Sequence, residues 1–138
     1  MSAPAVAVSA KHNKLVVAWK DVRTGEPNIY WSVSDTKSFR KGTAVHKSLK
    51  GKQDHPSATI DSTGKAWLAW EDSSSGKHEI RVRSEDDGSE TVISAEPNTS
   101  FPVIASGAGS VAVAYESRAG DARTIRFKLI HDNRKLDP

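Results

Sequence analysis

The 138-residue chain contains no cysteine and one methionine, which excludes disulfides and cysteine-ligated zinc as sources of stability. Aromatic residues are few: four Trp, three Phe and two Tyr. No apolar run approaches the ~18 residues needed to span a membrane. His12, His46, His55, His78 and His131 fall in separate turns without metal-ligand spacing, and no P-loop, dinucleotide fingerprint or G-x-S-x-G elbow occurs. No metal and no cofactor are therefore expected. Strong net charge is also missing, the formal value being +3. Leu, Ile, Val and Phe number only 27, a proportion that signals disorder when net charge is high, which it is not. Alanine and tryptophan supply the rest of a core suited to thin, closely packed sheets. Met1-Ser2-Ala3 leads straight toward an apolar stretch with no signal-peptide pattern.

What charge there is comes in blocks. Lys37, Arg40, Lys41, His46, Lys47, Lys50 and Lys52 crowd one stretch, and Glu85, Asp86, Asp87 and Glu90 another. The basic block has no interleaved aromatics and no nucleic-acid motif, so it reads as a solvated loop offset by its acidic neighbour. Neither nucleic acid nor membrane is expected as a partner.

What the chain does have is a threefold repeat. Pro-led apolar stretches begin at Pro4, Pro56 and Pro102, and each is followed by a second apolar stretch that ends in an aromatic: Trp19, Trp70 and Tyr115. Ten residues beyond each aromatic stands an isoleucine: Ile29, Ile80 and Ile125. Both landmarks shift together, by 51 and then by 45 residues. Short strands at a period of ~40–50 residues are the signature of β-propeller blades. The expected fold is all-β, with three four-stranded antiparallel blades, the last incomplete. Blade 1 covers about 3–50, blade 2 about 54–96 and blade 3 about 100–138. In each, strand A is led by the proline, which fits at the first residue of a strand because no interior ladder bond is lost there. Turn clusters then reverse the chain at Lys11–Lys14, Asp61–Lys65 and Gly107–Ser110. In strand B, Val17 and Trp19 face one way and Val16 and Ala18 the other. Strand C begins near each landmark isoleucine. Strand D is visible at Thr43-Ala44-Val45 and Thr91-Val92-Ile93, whereas the third copy runs out as H-D-N-R-K-L-D-P, giving eleven strands in all.

The full pattern resembles the sialidase-like propellers that carry BNR or Asp-box repeats. Its parts are P-x-[AVI], a strand ending in Trp, D-x-x-x-G, and I-x-[VWF]-x-x-S-x-D-x-G. Ser84, Asp86 and Gly88 match the S-x-D-x-G core, while Asp35 in S-D-T-K-S-F is a compressed version and Asp132 a remnant. The resemblance implies a structural box, in which a short carboxylate bonds turn amides and glycine takes the φ > 0 position. It also implies a secreted or periplasmic setting. Sialidases use three arginines, a Tyr–Glu nucleophile pair and an acidic proton donor. Here Arg23 and Arg118 stand in equivalent B–C loops, but copy two offers Ser73-Ser74-Ser75, and Tyr115 occupies a packing position. A non-catalytic binding or scaffold module is therefore expected.

Three blades are too few for a closed ring of 4–8. Homodimerisation to a six-bladed ring is the simplest closure, and twofold symmetry is the commonest. A glycan or a protein ligand would then meet the face formed by the B–C and D–A loops. That face carries Arg23, Asn28, His55, Asp72, His78, Phe101, Arg118 and Arg123. Two other readings stand beside this one: a sialidase-like glycoside hydrolase whose site is assembled between chains, and an engineered chain or fragment that captures propeller duplication without a native ligand.

Overall fold

A computed structural model describes residues 2–46, 50–86, 88–94 and 96–132. Eleven strands follow one another without a helix among the described residues: β1 (Ala5–Ser9), β2 (Lys14–Asp21), β3 (Asn28–Ser34), β4 (Thr43–Ala44), β5 (Gln53–Ile60), β6 (Ala66–Asp72), β7 (Glu79–Ser84), β8 (Glu90–Ser94), β9 (Thr99–Gly107), β10 (Ser110–Ala119) and β11 (Ala122–Asp132). They form three antiparallel sheets, β1-β2-β3-β4, β5-β6-β7-β8 and β9-β10-β11. Each sequence repeat is thus one meander, the architecture of a propeller blade. The third sheet has no fourth strand among the described residues. Lys47 and Asp87, members of the two charge blocks, lie outside the described residues, as does the tail beyond Asp132.

The sheets stack face to face, and period-two alternation decides which residues meet. One core joins Val16, Ala18, Ile29 and Trp31 of the first sheet to Ala66, Leu68 and Trp70 of the second. Another joins Ala69, Ile80, Val82 and Ile93 of the second to Ile104, Val111, Val113 and Tyr115 of the third. Every sheet therefore has a front, which receives the sheet before it, and a back, which covers itself with the next. Alanines at 18, 66 and 69 let the layers approach closely.

Several strand boundaries differ from expectation. Pro56 and Pro102 are not first residues of their strands, because β5 and β9 start three residues earlier. Both strands shift register beside the proline, and a bulge tolerates the missing N–H as well as a strand end does. The third C strand begins at Ala122, ahead of Ile125, because the loop before it shrinks to the two-residue turn Gly120-Asp121 between the paired Ala119 and Ala122. Gly120 at φ +58° supplies the left-handed first turn position that a tight hairpin of this kind requires.

Candidate functional site

The D-x-x-x-G element of the repeat builds the B–C loops at the end of the stack where a ligand face is expected. The Trp70 indole N–H donates to Asp72 Oδ2 at 2.8 Å, and Asp72 Oδ1 accepts the Ser74 amide at 2.8 Å. In the first copy Trp19 donates to Asp21 Oδ2 at 3.3 Å, and Asp21 Oδ1 accepts the Arg23 amide at 2.8 Å. Each loop then closes on a left-handed glycine, Gly25 or Gly76, whose amide reaches back three residues. The third copy has Tyr115 and Ser117 in these places, which removes both the indole donor and the carboxylate.

Two of the expected ligand residues are consequently interior. Asp72 is buried, and burial pushes its carboxyl up. The Ser74 hydroxyl, the Trp70 indole, the Ser74 amide and the Arg81 charge outweigh burial and hold it below the ordinary aspartate value. Asn28 is buried too, donating to the Gly51 carbonyl at 3.3 Å and accepting from the Thr24 hydroxyl at 2.8 Å. Beside them Gln53 stitches two sheets together. Its Oε1 accepts the Ile29 amide at 2.9 Å, and its Nε2 donates to Asp72 Oδ2 at 3.2 Å. Arg23 is committed to Asp21 at 2.5 Å and lies 4.6 Å over the Tyr30 ring. His78 is exposed and lines a separate cavity of about 460 Å³ with Lys77, Pro97 and Asn98.

The remaining four candidates gather at the rim. His55 and Phe101 occupy equivalent places before Pro56 and Pro102, both with φ near +50°. Non-glycine residues adopt that conformation rarely and at a cost, and such strain concentrates at functional sites. Their rings meet edge-on at 4.7 Å. Glu71 fixes both: Oε2 lies 2.7 Å from His55 Nδ1, and Oε1 accepts the Phe101 amide at 2.7 Å. Asp54 accepts the His55 amide at 2.8 Å and pairs with Lys20 at 3.1 Å. Burial works against the Asp54 charge, and these donors more than offset it, leaving its carboxyl below the ordinary value. Beyond Phe101 a cavity of about 290 Å³ opens among Asn98, Ser100, Glu116 and Arg118. Arg118 and Arg123 approach Glu116 at 3.9 and 3.6 Å. Asn98 also sits at positive φ, +64°.

Sequence reasoning missed Lys20, Asp54, Glu71 and Glu116. Lys20, Glu71 and Glu116 stand one residue past Trp19, Trp70 and Tyr115, so the repeat already aligned them as charges on an otherwise apolar strand face. Lys20 reaches Asp54 of the next sheet and Glu71 reaches Phe101 of the next sheet.

The Asp-box positions lie at the opposite end. Asp35 Oδ1 accepts the amides of Lys37 and Ser38 at 2.9 and 2.7 Å. Ser84 closes β7 and Gly88 has φ +71°. Asp86 pairs with Lys65 at 2.8 Å, and it is Glu85 that accepts the Ala66 amide, at 2.9 Å. A cleft of about 560 Å³ lies there, lined by Trp31, Asp35, Arg40, Lys41 and Arg83 among others. Arg83 is 5.0 Å above the Trp31 ring and donates to the Val45 carbonyl at 2.6 Å.

No protein-family model matches the chain, and no curated protein matches it in sequence. Among solved structures it is similar to an α-L-arabinanase of Penicillium chrysogenum complexed with arabinobiose, at 15% identity and a TM-score of 0.58. The likeness covers 91% of this chain and 41% of the arabinanase chain, so the chain spans about two fifths of that protein's length. At this identity the likeness shows the fold, that of a β-propeller.

Proposed function

We propose that the chain is a non-catalytic propeller module, half of a ring that self-assembles, with the rim around Phe101 as its ligand site and a glycan as its ligand. One observation carries this reading. Phe101 is held with its ring half-exposed, in a strained backbone conformation, beside Asn98, Ser100, Glu116 and Arg118. An aromatic face accepts the apolar face of a sugar ring, while guanidinium, amide, hydroxyl and carboxylate groups serve its hydroxyls, the usual make-up of a small-molecule site. The carboxylate best placed for chemistry, Glu71, has both oxygens engaged by His55 and the Phe101 amide, which suits positioning rather than proton transfer. The Asp-box pattern supports a sialidase-like lineage for such a module, with the acidic and tyrosine machinery given up. A protein ligand would meet the same rim.

The test is calorimetric or NMR titration with arabinobiose, the sugar bound by the arabinanase, and with a panel of neutral and acidic oligosaccharides. Saturable binding by at least one sugar is expected. Phe101→Ala should weaken it about tenfold, equivalent to ~1.4 kcal/mol, with the circular-dichroism spectrum unchanged. Binding that survives Phe101→Ala would place the site elsewhere. The similarity to an arabinanase also favours a second reading, a glycoside hydrolase with a site shared between chains. Turnover of arabinan that falls on Arg23→Ala or Arg118→Ala would establish that reading and refute ours.

A further inference from the structure

The third sheet exposes what the other two bury. Ile29 and Ile80, one repeat apart, are each 0% exposed, whereas the equivalent Ile125 is 69% exposed. Trp31 and Val82 are 5% and 2% exposed, whereas the equivalent Phe127 is 74% exposed. These residues lie on the back of their sheets, and in the first two copies the next sheet covers them. On the front of the first sheet the mismatch runs the other way. Val6 and Val8 are two-thirds exposed, although Ile104, equivalent to Val6, is buried against the preceding sheet. One end of the stack therefore presents an uncovered back and the other an uncovered front. The two inner joints show what fits between such faces: another sheet of the same repeat.

We infer that two copies close into a six-bladed ring in a fixed register, the back of the third sheet of each (Ile125, Phe127) seated on the front of the first sheet of the other (Val6, Val8). Of all closures by whole copies, only two give a blade number within the usual 4–8. The contact is head-to-tail and made twice about a twofold axis, so no face is left over. The inner joints also specify single contacts. Thr59 on the back of the second sheet meets Ser106 on the front of the third, Oγ to Oγ at 2.8 Å. The equivalent pair across the new joint is Ala105 with Val8 of the second copy. Glu71 accepts the amide of Phe101, so Glu116 accepts the amide of Ala3 in the second copy, and the rim that holds Phe101 and Arg118 continues into the next subunit. This register rests on the reading that the chain self-assembles.

The absence of native cysteine makes the test clean. Val8→Cys with Ala105→Cys, both at exposed positions, should oxidise to a covalent dimer. The hydroxyl oxygens of the equivalent Thr59 and Ser106 touch across the inner joint, so side chains at this pair of positions come close enough for a disulfide to close. The pair Val8→Cys with Val92→Cys, exposed but out of register, should not. Light scattering of the unsubstituted chain should give twice 14.9 kDa, and Phe127→Glu should weaken the dimer at least 100-fold while its β-sheet spectrum stays intact. A dimer that neither cross-links through 8 and 105 nor responds to Phe127→Glu overturns the register and leaves self-assembly standing. A species of one chain mass overturns both. A ladder of larger cross-linked species overturns closure by two copies.

Discussion

Replacing Trp70 by phenylalanine isolates the indole–carboxylate device of the B–C loop. Trp70 is fully buried and its N–H donates to buried Asp72 at 2.8 Å. A hydrogen bond to a charged partner contributes about 1.5–3 kcal/mol. The missing ring atoms leave a void of roughly 40 Å³, worth about 1 kcal/mol. Trp70→Phe should therefore cost about 3 kcal/mol, a large part of the ~5–15 kcal/mol available to a domain. Trp19→Phe is the internal control. Its bond to Asp21 is longer, 3.3 Å, its ring only partly buried, and Asp21 keeps Arg23 as a partner. That substitution should cost about 1 kcal/mol. Urea unfolding at a fixed chain concentration reads both, as a lowered midpoint with unchanged slope. Equal losses at the two positions, or a loss under about 1 kcal/mol at Trp70, would refute the assignment of the device.

The carboxylates give a sign for acid sensitivity. Burial pushes Asp72, Asp54 and Asp61 up, but the donors around each outweigh it, so all three titrate below the unfolded aspartate value. Their contribution is complete above that unfolded value, about 3.9, and is lost as pH falls through the lower folded values. The urea midpoint should hold from pH 6 to about pH 5 and then drop as pH falls toward about 2, and Asp72→Asn should flatten the drop; an unchanged midpoint would contradict the assignment. At Gly51, φ is +79° and an added Cβ would fall 2.5 Å from the Ser74 Cα. Gly51→Ala should therefore lower Tm about twice as far as Gly25→Ala, which meets positive φ alone in open space. Equal Tm losses would show that the approach to Ser74 relaxes freely.

The repeat made the sheets legible because a blade needs the same few things each time: a strand face of small apolar residues, a closing aromatic and a turn. Val16 and Ala18 facing away from Val17 and Trp19 follows from alternation alone, and so does the core they enter. The site was less legible because it depends on relations between repeats. Nothing local in His55-Pro56 or Phe101-Pro102 announces a positive φ. That conformation exists because the bulge and the Glu71 carboxylate of a different strand hold it. Asn28 and Asp72 look like loop-end polar groups suited to a ligand, yet the packing of one sheet on the next encloses them, and the Gly51 carbonyl and the Ser74 amide become their backbone partners. The charge that follows each strand-B aromatic was visible in the alignment of the copies, but its reach to the neighbouring sheet was not.

Gln53 has a consequence for the order in which the structure can come apart. The Ile29 amide belongs to the first sheet, yet its acceptor is a side chain of the second, which in turn donates to the second sheet's own Asp72. Loosening that joint breaks the bond between the Ile29 amide and the Gln53 carbonyl oxygen, and any partial opening that admits no water leaves both groups unpaired at a cost. At the matching place in the third sheet, Thr99 turns its hydroxyl back to the Glu96 carbonyl three residues away, a bond that travels with the sheet. The second and third sheets are joined by apolar surface, by the Glu71 bond to the Phe101 amide at the rim, and by the Ser57–Ile104, Thr59–Ser106 and Ser106–Ile60 bonds farther along the strands. Three copies of one pattern are thus unequal at this position: the first two share a bond through Gln53, while the third closes its bond within its own sheet and relies on Ser57, Thr59 and Glu71 to hold it to the second.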